Sequence, residues 1–171
     1  MKHGTRLLLE TPEEMLALGQ RLGAILFDGA VIGLSGPLGA GKTTLARGIA
    51  DGMRIDDGYV VSSPTYTIMQ SYPCLERELH HMDLYRITNS DDLDSTGYRD
   101  HVGGNAVFIV EWPEREPSVL TSEHLIVNID YREKGRDVTF IPSGDLYEEL
   151  AKRVVGVFSL NCSTRRHGDT E

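Results

Sequence analysis

The stretch from Val31 to Ala46 (VIGLSGPLGAGKTTLA) limits what this chain can fold into more than any other. Val31-Ile32-Gly33-Leu34-Ser35 reads as a short buried strand, and Gly36-Pro37-Leu38-Gly39-Ala40-Gly41-Lys42-Thr43 fits G-x-x-x-x-G-K-[ST] without a gap, the Walker A spacing. Gly36, Gly39 and Gly41 free the backbone to take φ > 0 and to approach a ligand closely, so that successive N–H groups can point at phosphate oxygens. Thr43 to Gly52 has the small and apolar residues of a helix ended by glycine, and its positive dipole end would face the same anion. Lys42 then supplies a point charge to the β- and γ-phosphates, and the Thr43 hydroxyl a hard oxygen ligand for Mg²⁺. Gly36, Pro37, Leu38, Gly39, Ala40, Gly41, Lys42, Thr43 and Thr44 are the expected phosphate-binding set. A glycine-rich connection without a ligand would not require strand, loop, lysine and helix in this order.

The rest of the composition narrows the class. At 171 residues and 40% hydrophobic content the chain is expected to form one domain with a real core. No apolar stretch is long enough to span a bilayer, and Met1 to Thr5 leads into no signal-type segment, so a cytoplasmic protein without a membrane partner is expected. Cys74 and Cys162 lie far apart and outside any C-x-x-C pattern, which suggests neither a disulfide scaffold nor a zinc site. A net charge of -9 argues against tight binding to DNA or RNA by this chain alone.

Along the chain, Arg6 to Glu10 reads as a first strand, and Thr11-Pro12-Glu13-Glu14 as a capping box that opens a helix running to Phe27. Asp28-Gly29 turns it into the Walker A strand. Ser62 to Thr67 is an extended or turn segment before a β-type run, Tyr66 to Tyr72. Its hydroxyls, Thr65 among them, are open to two readings, a γ-phosphate or Mg²⁺ sensor and a plain turn. Glu78 to Arg86 reads as a strand ending near Asp83, which is placed to act on a water or on Mg²⁺. His80 and His81 are adjacent on that strand and point to opposite faces, so they are poorly arranged to share one metal ion. Tyr85 and Arg86 read as anchors for the loop.

Ser90 to Thr96 suggests a short helix capped by Ser90 and ended by Gly97, with Asp91, Asp92 and Asp94 as a solvated start. Asn105 to Trp112 is continuously apolar and then acidic, the pattern of a strand buried on both faces with Glu111 at its carboxyl end. Next to a Walker A loop this is a Walker B arrangement, in which Glu111 acts on Mg²⁺ through water or orients the attacking water. Trp112 fits either a lid or the core. Leu125 to Asp130 and Arg136 to Ile141 flank a charged turn and predict an antiparallel hairpin; Leu146 to Val155 predicts a closing helix, with a flexible tail over 156–171.

The ordered set GPLGAGKTT, SPTYT, HMDLYR, a helix ended by Gly97, and IVEWPER resembles the TsaE (formerly YjeE) family of bacterial P-loop ATPases, required for threonylcarbamoyladenosine formation in tRNA. The likeness runs from about Arg6 to the closing helix. It implies an α/β single-domain P-loop NTPase over 1–155, with a central mainly parallel sheet flanked by helices and an antiparallel hairpin near the C-terminus. It also implies Mg²⁺-dependent ATP hydrolysis to ADP in a complex with TsaD and TsaB, which supports repeated modification of the adenosine next to the anticodon; the tRNA is met only through that complex. By the same likeness Thr43, Asp83 and Glu111 match the metal-linked and catalytic positions, Thr65 the switch-like threonine, and Trp112 the tryptophan beside the nucleotide. Pro37 departs from the acidic residue common at its position. Arg86 and Arg115 are candidates for an arginine finger. A small-molecule kinase and a nucleotide-gated binding module are the alternatives.

Overall fold

The structure, a computed structural model, describes residues 4–75 and 77–165. Its centre follows from two apolar runs that have no polar face to offer water. β2 (Val31–Ser35) and β5 (Val107–Glu111) are buried almost throughout and lie side by side in parallel. β4 (Glu78–Asp83) pairs parallel to β5, and β6 (His124–Tyr131) pairs parallel to β2. The flanks are antiparallel: β3 (Met69–Pro73) on β4, β7 (Arg136–Ser143) on β6, and β1 (Thr5–Leu9) on β7. The seven-stranded order is β1-β7-β6-β2-β5-β4-β3. The parallel character expected of the sheet therefore holds for its four central strands; β3 and β7 are reversed by the short β3–β4 and β6–β7 connections, and β1 pairs antiparallel with β7.

Each face of the sheet has its own core. One is formed with α1 (Pro12–Ala24), α2 (Lys42–Gly52) and α5 (Asp145–Arg165), through residues such as Leu18, Leu22, Leu45, Ile49 and Leu150. The other is formed with α3 (Ser90–Asp94) and α4 (Tyr98–His101), through Leu93, Tyr98, Phe108 and Val110. α1 begins as its sequence dictates: Thr11 Oγ1 accepts from Glu14 N at 3.2 Å, and the Glu14 carboxylate reaches back to Glu10 N at 2.6 Å. α1 and α2 then pack backbone against backbone. A Cβ on Gly23 would lie 2.0 Å from the Ile49 carbonyl oxygen, and one on Gly52 would lie 2.1 Å from that of Gln20. Gly19 and Gly48 meet in the same way, so α2 is held against α1 at a distance only glycine permits.

Several boundaries differ from the sequence-based expectation, and α1 ends at Ala24, short of the expected Phe27. β3 starts at Met69, because the segment before it turns at Thr65–Thr67 and Ile68 takes a positive φ of 66°. α3 is capped by Asn89, whose side chain accepts from Asp92 N at 3.0 Å, and Ser90 is its first helical residue. β4 ends at Asp83, where the sequence reading placed its end, with Leu84 to Arg86 outside it. α5 continues past Val155 to Arg165; Gly156 does not end it, and residues 166–171 lie outside the described residues. No helix among the described residues is long and apolar enough to cross a membrane.

Candidate active site

The carboxyl ends of β2, β4 and β5 open on one side of the sheet, where an open α/β architecture leaves a crevice for a ligand. β2 runs into the loop Gly36–Gly41, in which Gly36, Gly39 and Gly41 all have positive φ. Gly36 at φ 134° passes so close to β6 that a Cβ would sit 2.2 Å from the Ile129 carbonyl oxygen. Gly41, at φ 116°, is the N-cap of α2 and offers no side chain to its first turn, which also contains no acidic residue. α1 and α3, by contrast, are capped by Thr11 and Asn89. The N–H groups at the start of α2 thus have neither an intrahelical acceptor nor a capping side chain, and they face the crevice as anion donors.

The crevice has a volume of about 380 Å³ and is lined by the loop and by side chains from three further segments, Thr65, Asp83, Glu111 and Trp112 among them. Asp83 and Glu111 are register partners at the ends of β4 and β5, side by side on the face that carries α2. Both are buried. Two neighbouring buried carboxylates are favourable only with compensating charge or donors. Glu111 receives the Thr43 hydroxyl at 3.0 and 3.1 Å and stands 2.9 Å from His81 Nε2. Asp83 accepts from the Ser63 and Thr65 hydroxyls, the latter at 3.0 Å, and from Tyr85 N at 2.9 Å.

Lys42 is the cation among the residues lining the crevice. Its ammonium donates to the carbonyls of Gly36 (2.7 Å) and Pro37 (2.9 Å) and lies 3.8 Å from the centre of the Trp112 ring. Burial pushes the Lys42 amine below the usual lysine range, opposed by the pull of Glu111, Glu114 and Asp83. Trp112 reaches the lysine because its backbone takes φ 60° and ψ 46°, a left-handed conformation that is costly for a bulky residue. It is pinned there by the bond from Trp112 N to Leu34 O and by Pro113 behind it. Tyr85 packs against Trp112 with ring centres 5.1 Å apart and planes inclined at 53°, and Arg115 lies 5.4 Å from the Tyr85 ring. Arg86 is engaged elsewhere, 4.3 Å over Tyr66.

Residues 9–138 match the model of the family described as threonylcarbamoyl adenosine biosynthesis protein TsaE. The chain belongs to the TsaE family. Among its relatives is the Haemophilus influenzae tRNA threonylcarbamoyladenosine biosynthesis protein TsaE, 33% identical over 155 residues that cover 86% of this chain and 94% of that protein. The Bacillus subtilis protein of the same name is 35% identical over 144 residues, covering 84% and 89%. The crystal structure of Bacillus subtilis YdiB superposes with a TM-score of 0.75 at 31% identity, over 91% of this chain and 96% of that one.

In this TsaE-family crevice the structure brings together most of the residues singled out from the sequence; Gly36 and Pro37 stay outside the lining and meet Lys42 through their carbonyls, and Ala40 faces a neighbouring hollow. Lys42, Thr43, Thr65, Asp83, Glu111 and Trp112 line it, together with Leu38, Gly39, Gly41 and Thr44. Ala40 and Thr44 line that neighbouring hollow, of about 150 Å³, between the loop, Thr11, Met15 and Arg136. Two contributors were missed from the sequence. Ser63 shares Asp83 with Thr65, and His81 holds Glu111 from the inside of the sheet. The two-residue period of a strand carried the signal for His81, since it places His81 and Asp83 on one face of β4.

Proposed function

We propose that this chain is a Mg²⁺-dependent ATPase that acts in threonylcarbamoyladenosine formation in tRNA, together with TsaD and TsaB, and lets that machinery turn over repeatedly. The observation that carries the reading is the uncapped start of α2 facing Asp83 and Glu111. Orphan N–H donors suit a polyphosphate, and the paired carboxylates beside the Thr43 hydroxyl suit a hard divalent cation. The donor set therefore fits Mg²⁺: Thr43 would hold it, with Glu111 or Asp83 next to it. When bound, that ion would neutralise charge on the β- and γ-phosphates.

The chain's own groups would do the rest. Lys42 leaves the Gly36 and Pro37 carbonyls to meet the phosphates, Glu111, held by His81, orients the attacking water, and Ser63 and Thr65 sense the γ-phosphate through Asp83. The hollow bounded by Thr11, Met15, Thr44 and Arg136 adjoins the loop and would receive the nucleoside. With Lys42 as the cation lining the crevice, and Arg86 and Arg115 resting on tyrosine rings, a second positive group from a partner would accelerate the reaction.

The test is multiple-turnover tRNA modification with TsaD, TsaB, tRNA, threonylcarbamoyl-adenylate and Mg-ATP. Wild type is expected to support many rounds. Glu111→Gln, which keeps an acceptor for Thr43 but removes the charge, is expected to bind ATP normally and to lower hydrolysis about 100-fold or more. Wild-type hydrolysis by Glu111→Gln in the assembled system would overturn the proposal.

A further inference from the structure

The far end of β4 holds a second cluster of metal-donor side chains that the nucleotide site does not use. One donor atom from each of Glu78, His80 and His101 lies within 4.8 Å of the other two. Glu78 and His80 are two residues apart on β4 and so share a face, while His101 comes from the last turn of α4. The His80 ring is 1% exposed, packed between the rings of Phe108 and His101, each 4.8 Å away. Its Nδ1 is fixed 2.7 Å from Ser71 Oγ. Its Nε2 is buried, has no hydrogen-bond partner, and faces the Glu78 carboxylate at 3.6 Å. A buried imidazole nitrogen with no partner is costly to leave unmet.

We propose that Glu78, His80 and His101 bind a divalent late transition-metal ion, with Zn²⁺ as the probe. Two imidazoles and one carboxylate select against Mg²⁺ and Ca²⁺, which take oxygen ligands, and for Zn²⁺ or its neighbours. The 3.6 Å between His80 Nε2 and Glu78 is close to the ~3.4 Å edge of a tetrahedron with metal–ligand bonds of about 2.0–2.1 Å. Glu78 and His101 are exposed side chains that can draw inward, and water completes the open side. Ser71 stands where the supporting group of a ligating histidine usually does: in the tautomer that metal binding requires, its hydroxyl accepts from Nδ1–H and the Nε2 lone pair is left for the ion. Burial, and after it His101, hold His80 below the usual histidine range, which keeps that lone pair free at neutral pH. The bound ion ties α4 to the start of β4.

The site is separate from the crevice. Glu78 and Asp83 are at opposite ends of β4, about 16 Å apart at ~3.3 Å per residue, and His80 faces away from the side that carries His81 and Asp83. The experiment is Zn²⁺ titration of the metal-stripped full chain against a chromophoric chelator, followed by thermal unfolding with and without Zn²⁺. Wild type is expected to bind one equivalent, to gain thermal stability from it, and to keep the same Zn²⁺ affinity when saturated with Mg-ATP. His101→Ala and Glu78→Gln, both at exposed positions, should each weaken Zn²⁺ at least 10-fold and lose the thermal gain; Ser71→Ala should weaken it roughly 10-fold. Unchanged Zn²⁺ affinity in His101→Ala and Glu78→Gln, or displacement of Zn²⁺ by Mg-ATP, would overturn the proposal.

Discussion

Replacing Gly23 by alanine tests whether the contact between α1 and α2 holds the glycine loop Gly36–Gly41 in place. The new Cβ would lie 2.0 Å from the Ile49 carbonyl oxygen and 2.8 Å from its carbon. The first distance is about 1.3 Å inside the ~3.3 Å closest carbon–oxygen approach, and both atoms are helix backbone with no rotamer to retreat into. The helices must part. Overpacking of this kind costs about 1–3 kcal/mol, whereas alanine in place of glycine in a helix interior gains roughly 0.5–1 kcal/mol. The clash wins, and a net loss of about 1–2 kcal/mol is expected. Gly156 supplies the same substitution with the opposite sign: it is exposed within α5 and a Cβ there meets nothing within 4 Å, so Gly156→Ala should gain about 0.5–1 kcal/mol. Urea unfolding midpoints of the two variants and wild type measure both effects. Since α2 starts at the end of the glycine loop proposed to hold the phosphates, Gly23→Ala should also weaken ADP binding by calorimetry, and Gly156→Ala should not. A Gly23→Ala protein that unfolds at or above the wild-type urea concentration would refute the close approach of these helices.

Trp112 is the single tryptophan, and Lys42 lies over its ring, so adding Mg-ATP should change its emission as the lysine turns to phosphate; an unchanged spectrum at saturating nucleotide, with binding confirmed by calorimetry, would refute that movement. His81→Ala should lower the turnover number about 10–100-fold through a loosened Glu111 while the dissociation constant for ATP stays within a few-fold; an equal loss in both would show a general collapse of the site. Hydrogen bonding from Arg6, aided by Arg132, holds the Asp137 carboxyl below its usual value of 3.8 against the opposing effect of burial. A group depressed in the folded state stabilises it above its unfolded pKa and loses that contribution as pH falls through the folded value. Asp137→Asn should therefore lower the urea midpoint at neutral pH, with the gap to wild type closing below about pH 4. A gap that stays constant into the acid range would assign the loss to packing.

What could be read from residue order is what depends on short-range chemistry. The Walker A loop, the Thr11 cap, the two-face apolarity of Val107–Val110 and the turn at Gly135 each follow from neighbouring residues, and each is found where the residues place it. The sheet's antiparallel flanks are less legible, because strand direction depends on which edge a connection reaches. Gly19, Gly23, Gly48 and Gly52 read singly as weak points in two helices. Only when α1 and α2 are brought together do they become the contact that seats α2 behind the glycine loop. His81 shows the same dependence. Beside His80 in the chain it resembles half of a metal pair, but the pleat turns His81 to Glu111 and His80 to Glu78 and His101. One strand thus delivers its two histidines to two different clusters. Glu111, the acid at the carboxyl end of the neighbouring β5, is held through His81, and the unpartnered nitrogen on the other face is why a second ion is expected near the start of β4.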